Sequence, residues 1–216
     1  MNIRTTVAVP LAAFLLAGCA TPEPRPDYDA LLAQMMRDSF RDEGIAKADR
    51  LQQDAANAAC SKAAAGSALP EALARSLQEA ALKSVRLPSD GKFLGDWREG
   101  EKLAQSGRGM TWTDKSAAPA TNGGNCYNCH QITAAEISFG TIGPSLLHYG
   151  RQRGVTDPES PLSRPIVEYT WTKLYNARAF SACSGMPRFG HAGVLDETQL
   201  RNLMALLLDP KSPVNQ

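Results

Sequence analysis

Five consecutive residues constrain the fold of this 216-residue chain more than any others: Cys126-Tyr127-Asn128-Cys129-His130. C-x-x-C-H is the attachment pattern of a c-type haem. Two thiols three positions apart reach the two vinyl groups of one haem and form thioethers. The next residue, His130, then lies under the iron with a ring nitrogen to offer. A chain carrying this pattern must wrap a flat apolar group, fill or leave free one further axial position, and keep water out. Two other readings of a Cys pair stand beside this one. A thioredoxin-like redox pair sits near a βαβ pattern, and none surrounds this motif. A zinc site needs a second Cys or His pair at ligand spacing, and none follows.

Only five cysteines are present: Cys19, Cys60, Cys126, Cys129 and Cys183. The first belongs to a targeting segment. Arg4 supplies a positive start, residues 7–17 are apolar, and small residues follow. That is a secretory signal, too short for a stable membrane span. It ends Leu16-Ala17-Gly18-Cys19, which resembles a bacterial lipoprotein box, so Cys19 is expected to be lipidated as the first mature residue. Cleavage after Ala20 is the alternative. Either route exports the chain to a compartment where disulfides persist. With one cysteine for lipid and two for haem, Cys60 and Cys183 remain, and they are expected to pair; a free reactive thiol is the other reading. The expected location is periplasmic, held at a membrane only through Cys19. Charge is balanced, with 23 basic and 22 acidic side chains, and no basic cluster marks a nucleic-acid surface.

Periodicity predicts an all-α chain. Residues 19–26 carry three prolines and read as an extended linker. Residues 27–65 are rich in Ala, Leu, Gln, Asp and Arg without proline, and read as a helix, with Gly44 a point of interruption and Gly66 a stop. Pro70 opens a second helix, with Leu73, Leu77, Ala81 and Val85 on one face. Residues 95–106 form a third, anchored by Trp97 and Leu103. Residues 166–179 form another, bearing Tyr169, Trp171, Leu174 and Tyr175. Asp196 and Gln199 make a capping box for the last, whose apolar face is Leu200, Leu203, Met204, Leu207 and Leu208.

The second chemical signal is Ser184-Gly185-Met186-Pro187-Arg188-Phe189-Gly190. Met186 lies in a Gly- and Pro-bounded loop, 186 − 130 = 56 residues after His130, far enough to wrap to the opposite haem face. The other candidates are Met110, in the polar loop before the motif, and Met35, Met36 and Met204, which fall on helical apolar faces and read as core. Met186 is therefore the expected sixth ligand. A thioether there favours reduced iron and raises the potential. His148 and His191 are the competing ligands.

Several of these stretches resemble class I cytochromes c. Residues 95–106 and the last helix are similar to that fold's crossing first and last helices. Gly143-Pro144-Ser145-Leu146 is similar to the segment whose proline carbonyl receives a hydrogen bond from the proximal histidine, which makes Pro144 the expected acceptor for His130. A plain turn is the other reading of that segment. Arg151 and Arg153 are candidates to neutralise haem propionates.

The haem motif, Gly143–Leu146, Tyr149-Gly150, Trp171 with Tyr175-Asn176, the Met186–Gly190 loop and the ending Leu208-Asp209-Pro210-x-Ser212-Pro213-Val214-Asn215 together resemble the SoxX family, the monohaem partners in SoxAX sulfur-oxidation cytochromes. The likeness covers residues 95–215. It implies a domain order of signal peptide (1–18), linker (19–26), helical extension (27–94) and class I cytochrome c domain (95–216). It implies one covalent haem c and a heterodimer with a SoxA-type cytochrome subunit. In that family the complex oxidatively joins thiosulfate to a cysteine of the SoxYZ carrier and passes electrons to a small acceptor cytochrome. The sulfur chemistry belongs to the SoxA-type partner, so this chain would be the non-catalytic electron-transfer part of an L-cysteine S-thiosulfotransferase. A free-standing, lipid-anchored electron shuttle is the alternative function. The long extension departs from the shortest members of the family.

Overall fold

A computed structural model describes residues 25–216. The signal segment, Cys19 and most of the linker lie outside the described residues. The chain divides into two units, one ending at Phe40 and one running Arg41–Gln216. Among the described residues the only strand-like pairing is an isolated bridge between Glu43 and Ala46, so the fold is all-α.

The first unit contributes helix α1, Tyr28–Ser39. Asp27 caps it by accepting the Ala30 N–H, and none of its residues is buried. The sequence predicted one helix over 27–65, interrupted at most at Gly44. Instead α1 stops at Ser39, residues 40–54 are largely irregular, and α2 covers Ala55–Ala64. The break has two local causes. Gly44 sits at φ +53, a left-handed conformation that glycine adopts without cost. Asp54 then caps α2 through the Asn57 N–H, which fixes a fresh start.

Helix α3 spans Glu71–Lys83 and α4 spans Trp97–Gln105, the latter capped by Asp96. A four-residue α5 covers Tyr149–Gln152, α6 covers Arg164–Tyr175, and α7 covers Glu197–Leu208. Both halves of the predicted capping box are formed at Asp196 and Gln199. Helices α4 and α7 make the most extensive helix pair. They cross where Gly100 has no side chain to hold them apart.

The core joins α4, α6 and α7 around Trp171, Leu200, Leu203, Met204, Leu206 and Leu208. Trp171 also draws residues that precede Gly95 into the core. Its indole N–H donates to the Arg86 carbonyl at 2.8 Å, and its ring meets Phe93 edge-on at 5.5 Å. Asn176 Nδ2 reaches the Ser84 hydroxyl at 3.0 Å. Residues 84–93, assigned from sequence to an extension ending at 94, thus supply one wall of the core. The compact unit runs from Arg41, so the stretch read as a helical extension packs on the rest of the chain from there on.

The C-terminal tail locks two elements together. Asn215 Nδ2 donates to the carbonyls of Leu207 and Asp209, and its Oδ1 accepts the Gly150 N–H at 2.9 Å. The His148 N–H donates to Val214 at 2.7 Å. The Ser-Pro-Val-Asn ending therefore has a structural reason: it satisfies the open carbonyls of α7 and ties α5 to them.

Candidate functional site

The C-x-x-C-H motif is suspended from the end of α4. The N–H groups of Gly123, Gly124 and Asn125 donate to the carbonyls of Arg108, Leu103 and Ser106. Asn125 takes a left-handed conformation at φ 49, which asparagine tolerates, and turns the chain into a short 3-10 helix, Cys126–Asn128. Cys129 and His130 then both donate their N–H groups back to the Cys126 carbonyl, at 3.1 and 2.9 Å.

A second segment runs beside the motif and holds its histidine. Gly140 donates to Tyr127, Gly143 to Cys129 and Leu146 to Gln131, all at 2.7–2.8 Å. His130 Nδ1 lies 2.7 Å from the Pro144 carbonyl oxygen. A carbonyl can only accept, so Nδ1 carries the proton. In the neutral ring this leaves Nε2 bare, with its lone pair free for a metal. Gly143 lies against the face of the same ring: a Cβ there would stand 2.1 Å from Cε1 and 2.5 Å from Nδ1. The imidazole is thus held by its edge through a hydrogen bond and by its face through bare backbone.

The two thiols are free and half-buried. Burial, with the neighbouring Cys129 second, pushes the Cys126 thiol up to about 12. It stays protonated at neutral pH, whereas a reactive thiol or dithiol redox pair needs a stabilised thiolate. Among the described residues no three His, Cys, Asp or Glu side chains converge to chelate a metal ion, Cys126, Cys129 and His130 included.

Met186 is partly buried and packs, with Leu103, Cys126 and Leu146, on the rim of the one core cluster. Its loop is anchored just beyond it. Phe189 is buried, its carbonyl accepts from Val194 and Leu195, and Gly190 lies against the Tyr175 ring. The His191 N–H donates to the Tyr175 carbonyl. His148 is held by the tail, with its Nδ1 buried and without a hydrogen-bond partner. Arg153 stacks over Tyr149 at 3.7 Å and donates to that residue's carbonyl, so its charge is engaged within the protein. Cys60 and Cys183 form a disulfide with Cα atoms 5.5 Å apart.

The structure thus brings Cys126, Cys129, His130 and Pro144 together, and joins Cys60 to Cys183. Two contributors were missed from sequence. Gly143 went unassigned because nothing in a glycine's own chemistry says what will lie against it. A carboxylate at Asp54 grips Arg178 and Arg188, on either side of Met186, and only its distance in sequence hid it.

No family model matches the chain. A protein described as an uncharacterized lipoprotein of Aquifex aeolicus (strain VF5) is 36% identical over 137 residues, which is 62% of this chain and 59% of that protein. The chain thus spans less than two thirds of that relative's length.

Proposed function

We propose that this chain is an exported, lipid-anchored monohaem c-type cytochrome of the class I fold, acting as the electron-transfer subunit of a SoxAX-type complex. One observation carries the haem reading: the His130 imidazole is fixed in the tautomer that leaves Nε2 bare, by the Pro144 carbonyl on its edge and Gly143 on its face. Two further features fit the same group. Cys126 and Cys129 are free thiols, the groups from which thioethers to vinyl groups are made. They do not converge with His130 on one point, which suits attachment to a flat ring better than chelation of a bare ion.

Bound haem would supply one-electron redox chemistry. The residues have separate tasks in that role. Cys126 and Cys129 would hold the group covalently, and His130 would offer Nε2 to its iron. Met186 would offer a thioether to the same iron, favouring the reduced state. Leu103, Leu146 and the core beneath them exclude water. With both thiols bonded to the group and His130 and Met186 on its iron, none of these residues would be left as a nucleophile or general base, so the chain alone would move electrons and leave sulfur chemistry to a SoxA-type partner, with a carrier of the SoxYZ kind and a small cytochrome as transient contacts. The assignment to SoxAX rests on the sequence likeness over residues 95–215.

Export from cells competent in cytochrome maturation should give a coloured protein with one haem per chain, co-purifying in fixed ratio with a second haem-bearing subunit. A colourless product would end the haem reading; a haem-loaded monomer that is functional by itself would end the complex and favour the shuttle. In the same material, Met186→Ala should abolish the far-red sulfur-to-iron absorption band and lower the potential. Retention of both would remove Met186 as ligand.

The anchor has separate support: the Leu16-Ala17-Gly18-Cys19 ending and the lipoprotein description of the Aquifex relative. Mass spectrometry of the mature N-terminus is expected to find a diacylated Cys19. A mature chain beginning at Thr21 would overturn it.

A further inference from the structure

Helix α2 buries none of its residues, so it adds nothing to the core. It nevertheless supplies three tethers, all to one stretch of chain. Its capping residue Asp54 accepts Arg178 Nη1 at 3.3 Å and Arg188 Nη2 at 2.8 Å. Asn57 Oδ1 accepts a second nitrogen of Arg178. Cys60 is bonded to Cys183. The segment gripped in this way runs from Arg178 to Arg188 and contains Met186.

One carboxylate therefore closes both ends of this stretch. Two like-charged guanidiniums share it, and without it they would repel one another. The carboxylate is itself immobilised by the Asn57 N–H at 2.7 Å, and that bond, followed by those from Arg188 and Arg178, holds Asp54 below the usual carboxylate range. The shielding is one-sided: the Arg178 side chain is 11% exposed and that of Arg188 26%, while the Asp54 carboxylate they share is 41% exposed. A shielded, hydrogen-bonded pair holds geometry better than an exposed one. Pro187 links Met186 to Arg188, and its fixed φ removes one of the dihedrals that could absorb a shift of Arg188.

We propose that Asp54 is a positioning residue for Met186: by clamping Arg178 and Arg188 it holds the thioether at its axial position, with the Cys60–Cys183 bond as a second tether. The proposal rests on Met186 being an axial ligand.

The test uses the full-length, haem-loaded protein and the variant Asp54→Asn, which keeps an oxygen to cap α2 but removes the charge that the guanidiniums share. Imidazole serves as the probe competing for the axial position of the oxidised protein. Losing a charge-assisted pair should raise imidazole affinity about tenfold. Amide hydrogen exchange over residues 181–192 should accelerate by a similar factor, while α7 keeps its protection. The double variant Cys60→Ser/Cys183→Ser should move both readouts the same way. Unchanged imidazole affinity in Asp54→Asn overturns the proposal, whether or not the loop exchanges faster, because Asp54 would then not set the ligand. Failure of the premise is recognised separately: Met186→Ala would leave the far-red band and imidazole affinity of the parent unaltered, and the proposal would fall with it.

Discussion

Replacing Gly100 by alanine is expected to destabilise the folded chain by about 3 kcal/mol, an effect that needs no haem to be seen. The new Cβ would stand 2.1 Å from the Asn202 carbonyl oxygen, 2.7 Å from its carbon and 3.0 Å from Leu206 Cβ. The first two are backbone atoms of α7, so no rotamer change relieves them. Alanine is the better helix former by about 1 kcal/mol, and in an exposed helix that would decide the sign. Here the clash decides it, because α4 and α7 must part along the crossing that carries Ala104, Leu203 and Leu206. For a chain of this size, about 3 kcal/mol lowers Tm by roughly 6–12 °C. Thermal unfolding followed by far-UV circular dichroism measures it. A variant melting with the parent would mean that α7 slides without cost, and that the closeness of this crossing does not hold the core.

That crossing shows which parts of the fold were legible in sequence. Helices α4 and α7 announce themselves through local chemistry: Trp97 and Leu103 anchor the first, and a capping box with apolar residues three and four apart marks the second. Such signals act over one or two turns, so a sequence displays them whole. The stretch 27–65 misled for the same reason. Its composition favours helix throughout, yet a left-handed glycine at 44 and a capping carboxylate at Asp54 outweigh propensity. The packing of residues 84–93 on the core rests on contacts that sequence does not display, since Trp171 finds its hydrogen-bond partner 85 residues upstream at Arg86. At the candidate site the difference follows the same line. Cys126, Cys129 and His130 stand together in the chain and were plain. The Asp54 grip on Arg178 and Arg188 spans 124 and 134 residues, and each partner looks like an ordinary solvated charge.

On the proposed haem reading, Gly143→Ala is expected to spoil the ligation of iron by His130 while leaving the helices folded. The φ of Gly143 is one that other residues adopt, so backbone strain is not the reason; the reason is what lies against it. A Cβ would come within 2.1, 2.5 and 2.7 Å of Cε1, Nδ1 and Nε2 of His130. The ring cannot simply swing aside. Its edge is bonded to the Pro144 carbonyl, and its backbone N–H to Cys126. Either the imidazole leaves the Pro144 oxygen or the 140–146 strap lifts from the motif, and both misdirect Nε2. Loss of an orienting partner of this kind lowers affinity for a bound metal about 10–100-fold. Because the thioethers would keep the group attached, the loss should be read as an altered Soret spectrum and displacement of His130 by added imidazole at lower concentration, with far-UV circular dichroism near that of the parent. Pro144→Ala makes the informative contrast. The acceptor is a backbone carbonyl, which alanine also carries, so that variant should keep its haem and its His130 orientation. If Gly143→Ala instead keeps an unaltered spectrum and resists imidazole as the parent does, the His130 ring is not aimed by this strap, and the geometry that carries the haem reading loses its force.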